Sequence, residues 1–214
     1  WLGTDDSGRD VASRLAHGAR VSLLVALGAV LLAAFVGVGA GWLAAMCGGA
    51  VDAVVVAACD VLAAIPPLLL VVAAQGLLGR GSLVSLIVLI AIAPSAYFFR
   101  TVRAEFRRIM AEPFFEAALA LGLGRGRAVW RHALPAVRGQ VAVAAATTVA
   151  TAVLAEAALA FVGLGAPPPT ASWGELLRQA HQNQLVWWLA VPPGVAISLL
   201  ACASSRLADE ERVR

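Results

Sequence analysis

The sequence predicts an all-α polytopic membrane protein with five transmembrane helices, and three observations carry the prediction. Charge is scarce: 14% of the 214 residues are charged and 61% apolar, with a mean hydropathy of +0.85, whereas soluble domains carry about 25% charged residues. So little polar surface cannot cover a globule in water, which also excludes a disordered or collagen-like chain. Three windows hold no charge at all, residues 21–51, 81–99 and 179–205. Each is close to or beyond the ~20 residues that span a hydrocarbon core. Finally, all sixteen basic residues are arginine, and they cluster in a way that orients the chain.

The helices follow in order. The first is read from Val21 to Met46 and ends at Gly48-Gly49. The second covers Ala53 to Leu78, interrupted by Asp60 and Pro66-Pro67. The third, Ser82 to Phe99, lies between a Gly79-Arg80-Gly81 turn and Arg100. The fourth, Gly139 to Val162, carries Glu156, and the fifth, Leu185 to Leu207, contains Pro192-Pro193-Gly194. Internal prolines and glycines are tolerated where neighbouring helices satisfy the freed backbone groups. Cys47, Cys59 and Cys202 sit in apolar stretches without metal-ligand spacing and read as small buried hydrophobes.

Orientation follows from arginine. Segment 100–138 holds eight (Arg100, Arg103, Arg107, Arg108, Arg125, Arg127, Arg131, Arg138), and the tail adds Arg206, Arg212 and Arg214. The other side has Arg9, Arg14, Arg20, Arg80 and Arg178. Segment 100–138 and the C-terminus are therefore expected in the cytoplasm and Trp1 outside. The chain opens without a methionine, a charged leader or a cleavage site, so no signal peptide is read. An outside start then implies a sixth helix preceding the first.

Within segment 100–138, Val102, Phe106 and Ile109 recur at helical spacing while Arg100, Arg103 and Arg107 take another face. Alone, this reads as a surface helix among lipid headgroups. Pro113 suits a helix first turn, and the short helix Phe114 to Leu121 ends at Gly122, suited to a left-handed cap. A second short helix, Arg127 to Leu134, is expected to stop before Pro135. Two short helices at an angle form either a docking knob, with Phe114, Ala118 and Leu121 along one side, or a connector lying on the membrane.

The motif Glu116-Ala117-Ala118, three residues, Gly122, nine residues, then His132-Ala133-Leu134-Pro135 resembles the EAA loop of ABC-transporter permease subunits. The form Arg131 to Pro135 is usual in the dipeptide, oligopeptide and nickel importer branch. Leu2 to Val11, continued by Ser13-Arg14-Leu15 and Gly18 to Leu23, resembles the external leading segment of that branch's C-type permease. Glu156-Ala157 with Leu159, Phe161, Gly163-Leu164-Gly165, Pro168-Pro169-Thr170 and Ser172-Trp173-Gly174 resembles the end of its fifth helix and the external loop after it. Ala155, Ala158 and Ala160 stand where the family commonly has hydroxyls, Ala136 where it often has asparagine, and Gly122 to Gly126 replaces a polar N-cap.

The resemblance implies a type I ABC importer permease fold, with five helices present and the usual first one missing. It implies a bacterial inner-membrane subunit in which residues 1–20 lead in outside and 21–207 form the transmembrane domain. Residues 100–138 then form the cytoplasmic coupling loop, 164–184 an external loop, and 208–214 the tail. Phe114, Glu116, Ala117, Ala118, Leu121, Gly122, His132, Leu134 and Pro135 are the implied contacts to an ATPase, and helix 100–110 would anchor the knob to the membrane surface. The implied partners are a second homologous permease, two ABC ATPase subunits, an extracytoplasmic solute-binding protein and the lipid bilayer, with no nucleic acid.

No catalytic set or cofactor is expected. A phosphate-binding G-x-x-x-x-G-K-[ST] loop is impossible without lysine, so ATP belongs to partner subunits. His17 and His181 read as polar interface residues. Intramembrane charges are costly, about 2.5–3.5 kcal/mol on lenient scales, so Asp60 and Glu156 either line the solute path or pair with a neighbouring helix; pairing is favoured. Peptides are the expected solute. Nickel or another small solute by the same fold is the alternative, and a secondary transporter or channel is the alternative of a different class.

Overall fold

The computed structural model describes residues 3–78, 81–167, 169–183 and 186–213; Trp1, Leu2, Arg214, Pro168, Gln184, Leu185 and the predicted Gly79-Arg80 turn lie outside the described residues. Nine α-helices are described: α1 (Val11–Cys47), α2 (Gly49–Ala64), α3 (Pro67–Leu78), α4 (Leu83–Met110), α5 (Pro113–Ala120), α6 (Arg125–Ala128), α7 (Leu134–Phe161), α8 (Trp173–Gln182) and α9 (Trp187–Val213). Four spans are long and apolar enough to cross a membrane: Val11–Cys47, Leu83–Met110, Gly126–Phe161 and Trp187–Glu210. The pair α2 and α3, bent by 88° at Ile65-Pro66, passes the same test together, which brings the number among the described residues to five where the pair is taken as one broken span.

Helix α1 starts ten residues before the expected Val21. The Asp10 carboxylate accepts the Ser13 N–H at 2.8 Å and caps the first turn, so the helix carries Arg14 and Arg20 within it. The loss of charge after Arg20 marks where lipid-compatible sequence begins, which is a different boundary from the helix start. Helix α1 packs most extensively on α4. At Gly37 an added Cβ would lie 2.5 Å from the Cβ of Phe98 and from the Ser95 carbonyl oxygen. Only glycine allows two backbones to come so close.

The main apolar core gathers Val25, Ala29 and Ala33 of α1, Leu86, Ile90 and Phe98 of α4, Ala152 and Val153 of α7, and Ile197 of α9. Pro94, Pro192 and Pro193 sit inside their helices. Of the three cysteines expected to be buried, only Cys59 is; Cys47 and Cys202 are exposed. In a bundle whose outer surface meets lipid, an apolar residue gains nothing by facing inward.

Candidate functional site: the elbow and the charges behind it

Helix α4 runs eleven residues past its last apolar turn at Phe99, through Arg100 to Met110. Val102, Phe106 and Ile109 are fully buried and pack with Phe115, Val129, Ala133 and Val137 in a second apolar cluster. Segment 100–110 therefore buries one face beneath the elbow, while Arg100, Ala104, Arg107 and Arg108 on its other face stay exposed. The elbow folds back over its apolar stripe, and this return packing is invisible to local periodicity.

Ala111 and Glu112 turn the chain, and Pro113 opens α5 at its first turn. Helix α5 has one buried residue, Phe115, 2% exposed. It ends in a Schellman motif, in which the Gly122 N–H donates to the Leu119 carbonyl at 2.9 Å and the Leu123 N–H to the Ala118 carbonyl at 3.1 Å. Gly122 sits at φ 87°, the left-handed conformation that only glycine adopts cheaply.

The chain then re-enters a helix at Arg125, with the Ala128 N–H donating to the Gly124 carbonyl at 3.0 Å. The expected stop before Pro135 does not occur. A π-helical turn, Val129–Ala133, joins α6 to α7, and the Leu134 N–H reaches back five residues to the Val129 carbonyl. The widened turn lies immediately before Pro135, which sits in the first turn of α7.

The residues matching the EAA motif meet on one knob. Phe114, Glu116, Ala117, Leu121, His132 and Pro135 are exposed, Leu121 at 90%, while Ala118 and Leu134 are half-buried. The Phe114 ring meets the His132 ring edge-on, with centroids 6.0 Å apart, and so ties the two arms of the elbow together. The outer side of the knob thus presents exposed apolar side chains, Phe114 and Leu121 with Leu119 and Trp130, over a base held by Phe115.

The arginines of α4 are occupied by carboxylates. Arg103 grips Asp52 with both Nε and Nη2, the latter at 2.7 Å, and Arg107 Nη2 adds a bond of 2.6 Å to the same carboxylate. Arg100 Nη2 donates to Asp60 at 2.8 Å and to the Cys59 carbonyl at 3.2 Å. Arg108 bonds Glu105 and Glu112 on its own side of the elbow. Asp60 is exposed and paired with Arg100. Asp52 is not among the residues the sequence singles out. Its signal was available: two acids eight residues apart in an apolar helix, facing arginines at i, i+3 and i+7.

Glu156 lies at the other end of the bundle and is completely buried. Its partner is a hydroxyl. Ser22 Oγ of α1 donates to Glu156 Oε2 at 3.0 Å and accepts the Trp173 N–H at 3.2 Å, while Trp173 Nε1 donates to the Leu15 carbonyl at 3.1 Å. The carboxyl therefore joins α1, α7 and the start of α8. Helix α8 lies within the expected external loop 164–184; Ser172 and Glu175 have capping-box spacing, and Ser172 Oγ accepts the Glu175 N–H at 3.2 Å.

Beside this junction, residues 3–10 fold around Asp5, which accepts from the Ser7 N–H (2.9 Å), the Arg9 N–H (2.8 Å), Arg9 Nε (2.8 Å) and Arg14 Nη1. Burial pushes its pKa up, but the Arg9 amide, the Arg14 guanidinium and the Ser7 amide outweigh burial and hold it at about 2. His17 Nδ1 lies 2.8 Å from the Ser13 carbonyl, and the His181 ring rests on Phe161 at 5.3 Å.

This arrangement, an exposed elbow on a helical membrane bundle, coincides with a match along most of the chain. Residues 37–209 match the family of binding-protein-dependent transport system inner membrane components. The chain belongs to this family. It is a type I ABC importer permease, built of helices that span the membrane several times. The permease is 36% identical over 210 residues to the dipeptide transport system permease protein of Alkalihalophilus pseudofirmus, covering 98% of this chain and 69% of that one. It is 35% identical over 209 residues to the di/tripeptide transport system permease protein of Pseudomonas aeruginosa, covering 97% and 69%. With the glutathione transport system permease protein of Escherichia coli the identity is 35% over 210 residues, covering 98% and 69%.

Proposed function

We propose that this permease forms half of the path of an ATP-driven importer for peptides, paired with a second related permease. The peptide-transport names of its relatives support the solute class. The observation that carries the mechanism is the elbow, an exposed Phe114–Leu121 face mounted rigidly on α4 and α7 through Phe115. Two ABC ATPase subunits dock on the elbows of the two permeases, and their closure on ATP moves α4 and α7 between two packings. The chain binds no cofactor and performs no chemistry of its own, since ATP is hydrolysed on the partners. Asp60 and Glu156 serve as structural pairs.

The elbow and the C-terminus face the cytoplasm, where the arginines lie, and the Asp5 fold and α8 face outside. Residues 1–20 and 164–184 there receive an extracytoplasmic binding protein. The test is co-purification from the inner membrane in mild detergent, followed by uptake and ATP hydrolysis in proteoliposomes. The wild-type chain should carry both ATPase and partner permease, and Glu116→Lys and Gly122→Asp should insert normally yet uncouple uptake from hydrolysis. Normal transport by both variants would overturn the coupling role.

A further inference from the structure

The bent pair α2–α3 is the least packed part of the bundle. Of the sixteen residues of α2 only Asp52 and Cys59 are buried, whereas α1 buries thirteen of its 37. Among the described side chains of α3, Val71 and Gln75 are buried. Among the described residues, apolar packing on this pair is confined to Val55, Val56 and Cys59 against Ala44, Ala96 and Phe99, and to Val71 at the edge of the main core. The remaining attachments of α2 are ionic. Asp52 is held at three points by Arg103 and Arg107, and Asp60 by Arg100 one rung further along. A two-pronged arginine–carboxylate contact fixes direction as well as distance.

Both ends of this ladder lead somewhere. Arg103 and Arg107 flank Phe106, which packs in the same cluster as Phe115 of the elbow. Beyond the 88° bend, α3 contributes Pro67, Leu68 and Val71 to an apolar cavity of about 270 Å³, lined on its other sides by Ile90 and Pro94 of α4 and Thr151 of α7. We propose that Asp52 is a positioning residue for transport, the joint through which movement of the elbow is carried along α4 into α2–α3 and so to the cavity. The proposal rests on the elbow being the ATPase dock. An ionic joint suits the task because it transmits a pull without a matched apolar surface, and α2 turns with α4 while its outer face slides on lipid.

The test uses the assembled transporter with its ATPase and partner permease in lipid nanodiscs. Hydrogen exchange of α3 peptides is read by mass spectrometry, with and without trapping by ATP and vanadate. In the wild type, trapping should change α3 exchange at least fivefold. Asp52→Asn should retain the ATPase and its hydrolysis but lose that change, and Asp52→Glu should restore it. Arg107→Gln, which removes one of the three bonds from a side chain that is 56% exposed, should halve the response without threatening the fold. It decides the matter if Asp52→Asn does not assemble. An α3 response in Asp52→Asn or Arg107→Gln equal to that of the wild type, or no response in the wild type, overturns the proposal. Absence of the ATPase from the wild-type complex would instead identify the elbow reading as the failure, before any trapping is attempted.

Discussion

Replacing Phe115 with alanine should unhook the elbow. Helix α5 has eight residues, well below the roughly 12–15 at which an isolated helix becomes even marginal in water. Its position depends on one buried side chain, 2% exposed and packed among Phe106, Ile109, Val129 and Ala133. Truncating a buried phenylalanine costs about 3–5 kcal/mol. At ~1.4 kcal/mol per tenfold, this shifts the docked-to-free ratio of the elbow by on the order of 10²- to 10⁴-fold. The spans themselves, held by the main core, should stay intact. The assay is trypsin cleavage after Arg127 in inside-out membrane vesicles, together with retention of the ATPase on purification. Phe115→Ala should be cut at least a hundredfold faster and lose the ATPase. Leu121→Ser, at a side chain 90% exposed, should be cut at the wild-type rate and yet hold the ATPase less tightly. Wild-type cleavage and ATPase retention in Phe115→Ala would refute the idea that one aromatic ring seats the knob.

Other outcomes follow from the same contacts. Gly122→Ala forces a side chain into the left-handed region at φ 87°, a cost of about 1–2 kcal/mol, and should lower coupled uptake severalfold while the amount inserted stays the same. Glu156→Gln keeps an oxygen for the Ser22 hydroxyl and should leave assembly and uptake unchanged, whereas Glu156→Ala strips the junction and should lower the thermal midpoint of the purified complex. Lost uptake with normal assembly in Glu156→Gln would instead place the carboxyl on the solute path. The Asp5 pKa is depressed from 3.8 to about 2, so the fold of residues 3–14 draws stability from the ionised form above pH 4. It loses that stability as the pH falls through about 2. Exchange protection of the Ser7 and Arg9 amides, corrected for intrinsic rate, should be flat from pH 7 to 4 and collapse below 3. In Asp5→Asn it should already be weak at pH 7, and equal protection would show that the carboxylate does not organise the segment.

The membrane class, five spans and the elbow could be read without coordinates, and the reasons are local. A 31-residue window without charge, 21–51, has no alternative solvent. The Pro113 start and Gly122 stop of α5 depend only on backbone chemistry within a few residues. What the chain alone left undecided depended on which faces meet. Whether Val102, Phe106 and Ile109 face lipid or core was settled by the return of α5 and the π turn over them. Pro135 reads as a helix stop, whereas the π turn immediately before it runs on into α7. The partners of Asp52, Asp60 and Glu156 lie 51, 40 and 134 residues away. Composition and local spacing dictate where a chain crosses lipid and where it turns, because those energies are paid residue by residue. Which charge finds which partner is a property of helix packing, and only the assembled bundle decides it.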